Sequence, residues 1–180
     1  VKSACEVLEG FESEWPHLPW MTMGLGAQGT GPQAAHDGSL GLVASEWQIN
    51  QFVHVGLPGD RLTAWVRGFG GRAYLGFGST PLGTKALVFA PNAGSVLLND
   101  CPGFYTFDDL ETKPMTQSGG SWHKLEIEFG TGGQVTGRLY GPDGGVVTTL
   151  THTFSDFTPG GIAVRAFNDT FIDTVELCRE

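Results

Sequence analysis

Long hydrophobic runs are missing from this chain. None approaches the roughly 18 consecutive apolar residues that cross a bilayer as a helix, so membrane insertion is not expected. Basic residues are scarce too: ten Lys and Arg stand against nineteen Asp and Glu, a formal net charge of −9. Nucleic-acid binding rests on neutralising phosphates with Lys and Arg, so this balance argues against nucleic acid. It equally disfavours anionic membranes and strongly anionic glycans, and neutral partners or cations fit better. There is no HExxH, no GxSxG and no stretch with a sustained 3.6-residue amphipathic period, which leaves zinc-peptidase and nucleophile-elbow chemistry without a sequence basis. His17, His36, His54, His123 and His152 are dispersed without metal-ligand spacing. The glycine-rich "RGFGGRAYLGFG" sits between strand patterns rather than before a helix, so it does not read as a phosphate cradle. The first residue is Val1, and no signal-peptide pattern follows. We therefore expect a mature or excised piece of a larger protein.

Cysteine is the next scarcity. Of three, Cys5 and Cys178 stand almost at opposite ends, and Cys101 lies alone in "LLNDCPGF". If the terminal strands adjoin, a Cys5–Cys178 bridge would close nearly the whole chain, worth about 4–5 kcal/mol by loop entropy. It would also imply a secreted or cell-surface location. The alternative is three buried thiols in a reducing compartment.

What the chain does have is short β-patterned runs separated by glycine-rich turns. Its 28 glycines are scattered rather than periodic, which suits many tight turns. Strand patterns cover 5–12, 39–44, 50–57, 61–69, 73–79, 85–90, 95–100, 122–130, 134–141, 145–154, 160–167 and 170–178. PGD, PNAG, GTGG and GPDGG punctuate them. The residues from "WHKLEIEFG" to "GVVTTLTHTF" read as three consecutive antiparallel strands. With no composition break, the expectation is one all-β domain over 1–180, a two-sheet sandwich or barrel.

Three sets of residues carry candidate chemistry. In "TFIDTVELCRE" plain alternation places Phe171, Asp173, Val175 and Leu177 on one face, so Asp173 stands as a carboxylate in an apolar row and needs compensation. With Glu12 of "EGFESEW" it could supply two oxygens to calcium, or it could be satisfied by backbone N–H groups of a nearby loop. The second set is a row of outward aromatics and arginines. Trp65, Arg67 and Phe69 oppose Ala64 and Val66; Trp122, Lys124, Glu126 and Glu128 oppose Leu125, Ile127 and Phe129; Arg138 and Tyr140 oppose Leu139. Sugars stack C–H faces on rings and present hydroxyls to fixed polar groups. Trp65, Trp122, Tyr74 and Tyr140 are thus candidate stacking residues, with Arg67 and Arg138 bonding hydroxyls. Loops or the second sheet could instead cover these rings. The third set is Glu126 and Glu128, about 6–7 Å apart on one strand face, close to glycosidase carboxyl spacing. Lys124 and Gly130 flank them where a third acid would be wanted, so the pair reads as a solvated polar face. His123 alternates with the core row and reads as a core histidine. Asn168-Asp169-Thr170 is a glycosylation sequon.

The aromatic–Glu pair near the start, "AAHDGSLGL" and the terminal "IDTVEL" resemble the jelly-roll carbohydrate-binding modules of secreted glycanases. From "SWHKLEIEFG" to "IDTVEL" the chain looks more like laminin-G and concanavalin A-like sandwiches. The resemblance implies an antiparallel jelly-roll and a non-catalytic module binding polysaccharide or oligosaccharide beside other domains of a parent protein. It also implies a structural calcium site, carried over onto Glu12, Asp37 and Asp173. Two other readings remain: a laminin-G-like adhesion domain working through loops, and a glycoside hydrolase or lyase using Glu126 and Glu128.

Overall fold

The computed structural model describes residues 4–116 and 120–180. Among them are fourteen strands and three short 3-10 turns, and no helix is long and apolar enough to cross a membrane. Every strand pairing is antiparallel. With strands numbered in chain order, one sheet runs β12 (Val146–Thr153), β11 (Gln134–Tyr140), β10 (His123–Phe129), β5 (Arg61–Gly68) and β14 (Thr170–Arg179). The last strand then pairs with β1 (Ala4–Glu9) and, through Ile172, with Leu42 at the start of β4 (Gly41–Val55). On the far side of that start lies β3 (Gly29–Gly31). The other sheet runs β9 (Asp108–Pro114), β8 (Ser95–Pro102), β7 (Gly83–Ala90), β6 (Arg72–Thr80), β13 (Gly160–Phe167), the rest of β4 and β2 (Met21–Thr22). The strand β4 passes from one sheet to the other, and the result is an all-β jelly-roll sandwich.

Period-2 patterning explains most of this. In β10 the residues His123, Leu125, Ile127 and Phe129 are buried while Lys124, Glu126 and Glu128 are not. In β5, Leu62, Ala64 and Val66 have no exposed surface. The two inner faces meet across rings such as Phe77 and Phe129, whose centroids are 5.5 Å apart. His123 belongs to this interior, with Nδ1 2.7 Å from the Ser121 carbonyl oxygen.

Three features depart from the expected pattern. Segments 39–44 and 50–57 are halves of the single strand β4, whose middle "SEWQI" breaks alternation because the strand changes sheets there. β9, "DDLETKP", has no apolar row, since it is the exposed edge of its sheet. The outer face of the second sheet is not open. Trp47, Ile49, Tyr74, Val88, Leu97 and Cys101 form a second apolar cluster on it under Phe104, and Trp47 Nε1 donates to the Phe104 carbonyl at 2.9 Å. Tyr74 is therefore buried, 3% exposed, and burial pushes its hydroxyl pKa up. Burial, with Asp100 nearby, pushes the Cys101 thiol up to about 12.

Cys5 lies directly opposite Cys178 across the β1–β14 pair, and the two form a disulfide. Replacing Cys5 or Cys178 by Ser is expected to lower the unfolding free energy by about 2–5 kcal/mol. Urea melts of wild type and variant would show it; identical midpoints would mean that strand pairing alone closes the termini.

Candidate functional site

The site begins with a defect in β14. Against β5, Asp173 is opposite Trp65, yet the next partners are Glu176 and Thr63. Three steps on one strand meet two on the other, which is a β-bulge. Thr174 is the extra residue, with φ +48°, a conformation seldom adopted by β-branched residues. The bulge reverses the alternation. Ile172, Val175 and Leu177 face the sandwich interior, whereas Phe171 and Asp173 lie on the outer side, opposite Arg67 and Trp65. Asp173 is thus not in the apolar row that plain alternation predicts.

It is buried all the same, because residues 32–40 cross over it as a strap. Asp173 has no exposed surface. Its Oδ2 accepts the backbone N–H groups of His36 at 2.6 Å and Asp37 at 2.9 Å, and its Oδ1 accepts that of Thr174 at 2.8 Å. Glu12 holds the far end of the strap. Its Oε1 accepts from the N–H groups of Ser39 and Leu40, both at 2.9 Å. Gly38, just before them, has φ +68° and abuts the Glu12 carboxylate without room for a Cβ, which is what the "DGS" in this segment supplies. Asp37 turns its side chain to His36 Nδ1 at 2.9 Å and accepts from Thr174 Oγ1 at 3.3 Å. Burial pushes the Asp173 pKa above the usual carboxylate value, against the pull of the three N–H groups.

This arrangement does not fit calcium. The carboxylate oxygens of Glu12 and Asp173 point at N–H donors, where a cation would need further oxygens. Among the described residues no cluster of three or more His, Cys, Asp or Glu is arranged for a metal. Of the two readings of Asp173, loop N–H groups match the geometry.

The strap delivers His36 onto the outer face of the first sheet. Its ring stacks on Trp65 with centroids 3.9 Å apart and planes 11° from parallel, and meets Trp122 edge-on at 5.2 Å. Two cations flank the pile: the Arg67 guanidinium lies 5.3 Å from the Trp122 ring and the Lys124 ammonium 5.5 Å from that of Trp65. Such contacts are worth about 0.5–1 kcal/mol each at exposed sites. Arg67 also donates to the Gln33 carbonyl at 3.0 Å, pinning the start of the strap.

Beside Trp65 the face opens into a pocket of about 270 Å³, lined also by Lys124, Glu126, Tyr140 and the turn residues Gly141, Pro142 and Gly144. Its polar wall is fixed in advance. Glu126 Oε1 accepts from Arg138 Nη1 and from the Tyr140 hydroxyl, both at 2.9 Å. The same Arg138 nitrogen donates to Glu128 at 2.6 Å. Its hydrogen bonds to Glu128 and then to Glu126 push the Arg138 pKa up against the effect of burial. Burial, with the bond to Glu126, pushes that of Tyr140 up. The acidic pair, read as a solvated polar face from its flanking Lys124 and Gly130, is ion-paired to Arg138: Glu128 keeps 45% of its side-chain surface exposed, whereas Glu126 is only 13% exposed.

The structure brings Trp65 and Tyr140 together in the pocket, with Arg138 behind them. Trp122 and Arg67 stand on the other side of His36. Tyr74 is on the second sheet, away from all of these. Sequence reasoning missed His36 and Lys124 as site residues. Lys124 was legible as outward-facing, but the stacking of His36 depends on a contact between residues 36 and 65 that no local pattern announces.

No family model and no curated sequence matches the chain. Its fold does match solved structures. The CBM2 module of the evolved Dit of Lactobacillus casei BL23 phage J-1 superposes over 100% of this chain and 99% of that one, with a TM-score of 0.56 and 14% identity. An endo-β-1,4-glucuronan lyase from the fungus Trichoderma reesei covers 98% and 95%, with a TM-score of 0.57 and 10% identity. The homodimeric agglutinin CG-16 from chicken liver covers 73% and 99%, with a TM-score of 0.54 and 11% identity. At these identities the likeness is one of fold, a jelly-roll shared by binding proteins and enzymes alike.

Asp173→Ala is expected to cost about 1–3 kcal/mol by leaving strap N–H groups unpaired, measurable in denaturant melts. Because the folded pKa lies above that of an unfolded Asp, the folded state takes up the proton first. Wild type should therefore gain stability relative to Asp173→Ala as pH falls from neutral through that raised pKa. A gap that instead narrows would mean that the N–H bonds outweigh burial. Calcium and chelator are expected to leave the wild-type melting temperature unchanged; a rise with calcium would restore a metal site at Glu12, Asp37 and Asp173.

Proposed function

We propose that this protein is a non-catalytic glycan-binding module, acting outside the cell as part of a larger protein, and that the Trp65 pocket is its binding site. One observation carries the reading: the Trp65 ring borders an open pocket also lined by Glu126 and Tyr140, which are hydrogen-bonded to each other and held by Arg138 from outside it. A pyranose needs these two surfaces at once, a ring for its C–H face and immobile polar groups for its hydroxyls. His36 backing Trp65, and Arg138 holding Glu126, reduce the ordering cost of binding. The Cys5–Cys178 disulfide supports an oxidising compartment. The fold itself does not choose between binding and catalysis, so the reading rests on the pocket.

Glu126 and Glu128 favour a hydrolase or lyase reading by their spacing alone. Against it, both are acceptors of one Arg138 nitrogen. Glycosidase carboxyls flank the scissile bond, one protonating the leaving oxygen while the other acts as nucleophile or base.

Affinity electrophoresis or calorimetry against a polysaccharide panel tests the proposal. Trp65→Ala should weaken binding about tenfold or more, whereas Trp122→Ala, outside the pocket, should bind nearly as well as wild type. Equal binding by wild type and Trp65→Ala would remove the pocket from consideration. Product release abolished by Glu126→Gln would instead make the protein an enzyme.

A further inference from the structure

We propose that the Trp65 pocket selects an uncharged sugar through neighbouring hydroxyls, one donating to Glu126 Oε2 and the next accepting from Lys124. This rests on the pocket being a glycan site, and adds the class of glycan and the residue that selects it. The charges at the pocket cancel. Lys124 and Glu126 line it, and behind Glu126 the Arg138 guanidinium is shared with Glu128, so two cations stand against two acids. The turn 141–144 beside them adds only Asp143, a further acid. Nothing in this set rewards an anion.

The hydrogen-bonding groups left over define what fits. Glu126 Oε1 is taken by Arg138 and by the Tyr140 hydroxyl, both at 2.9 Å. Among the described residues Glu126 Oε2 makes no hydrogen bond. Nor is it a buried orphan, since the buried side-chain atoms without partners lie on other residues; Oε2 is open to the solvent of the pocket. The Tyr140 hydrogen is committed to Glu126, so that hydroxyl offers a ligand only its lone pairs. The pocket thus presents two acceptors, Glu126 Oε2 and Tyr140 Oη, and one donor, the Lys124 ammonium 5.5 Å from the Trp65 ring. Lys124 and Glu126 are two apart on one face of β10, so their heads serve neighbouring positions on one sugar ring. Hydroxyls both donate and accept, and adjacent ones satisfy all three groups. A carboxylate or sulfate only accepts, and would meet a carboxylate oxygen to which it cannot bond.

The same geometry dictates what Glu126→Gln does. Its amide oxygen must stay on Arg138 and Tyr140, because both donate, so its NH2 takes the place of Oε2. An acceptor becomes a donor, and the pocket gains one net positive charge.

The test uses the full chain and three forms of each polymer: a polyuronate, its uncharged carboxyl-reduced form, and that form after O-methylation. Polyglucuronate, polygalacturonate and polymannuronate serve as parents. Wild type should bind at least one carboxyl-reduced polymer about tenfold or more tighter than its parent and its methyl ether, a comparison that needs no variant. Glu126→Gln should lose that preference by about the same factor and turn it toward the polyuronate. Wild type binding the polyuronate or the methyl ether as tightly as the reduced polymer, or Glu126→Gln keeping the wild-type preference, overturns this inference and leaves glycan binding standing. Binding of none of the polymers removes both.

Discussion

Three backbone N–H groups converge on the Asp173 carboxylate, which is wholly buried, and the outer face of the first sheet is organised around that convergence. The carboxylate reaches this position only because Thr174 is an extra residue in β14. Without the bulge Asp173 would point between the sheets, where a lone charge costs several kcal/mol. With it, the charge faces a loop that offers donors. The strained Thr174 backbone is in turn held by the N–H bond to Asp173 and the hydroxyl bond to Asp37.

From this anchor the consequences run outward. The strap is tied at one end to Asp173 and at the other to Glu12, so the His36 ring has one place to go, the face of Trp65. A tryptophan backed by a parallel ring cannot fold down over its own strand, so it stands as a fixed wall for the pocket. The opposite wall is fixed by Arg138, whose guanidinium gathers Glu126 and Glu128 and leaves Tyr140 aligned on Glu126. Rigid apolar and rigid polar walls facing a common space are the conditions for binding a sugar selectively.

A good deal of this was legible beforehand. The outward rows of β5, β10 and β11 follow from apolar residues at every second position, and each lies where alternation puts it. Two cysteines on terminal strands made a Cys5–Cys178 bridge one of two readings, and the β1–β14 pairing is what realises it. Other features left no local trace. The edge strand β9 has no buried face to pattern, and β4 loses its alternation where it changes sheets. Tyr74 has the same outward position in its strand as Trp65 in its own, but Phe104 covers one and a pocket opens beside the other.

The sequence by itself thus determined the all-β architecture and the inward and outward rows of the regular strands. Both depend on residues two apart along a strand, whereas the Cys5–Cys178 closure waited on β1 lying beside β14. Only the tertiary structure decided the direction of Asp173, the stacking of His36 on Trp65, and the commitment of Glu126 and Glu128 to Arg138. One inserted residue reverses a period of two, and contacts between positions 36 and 65, or 173 and 36, exist only once the strands carrying them are side by side.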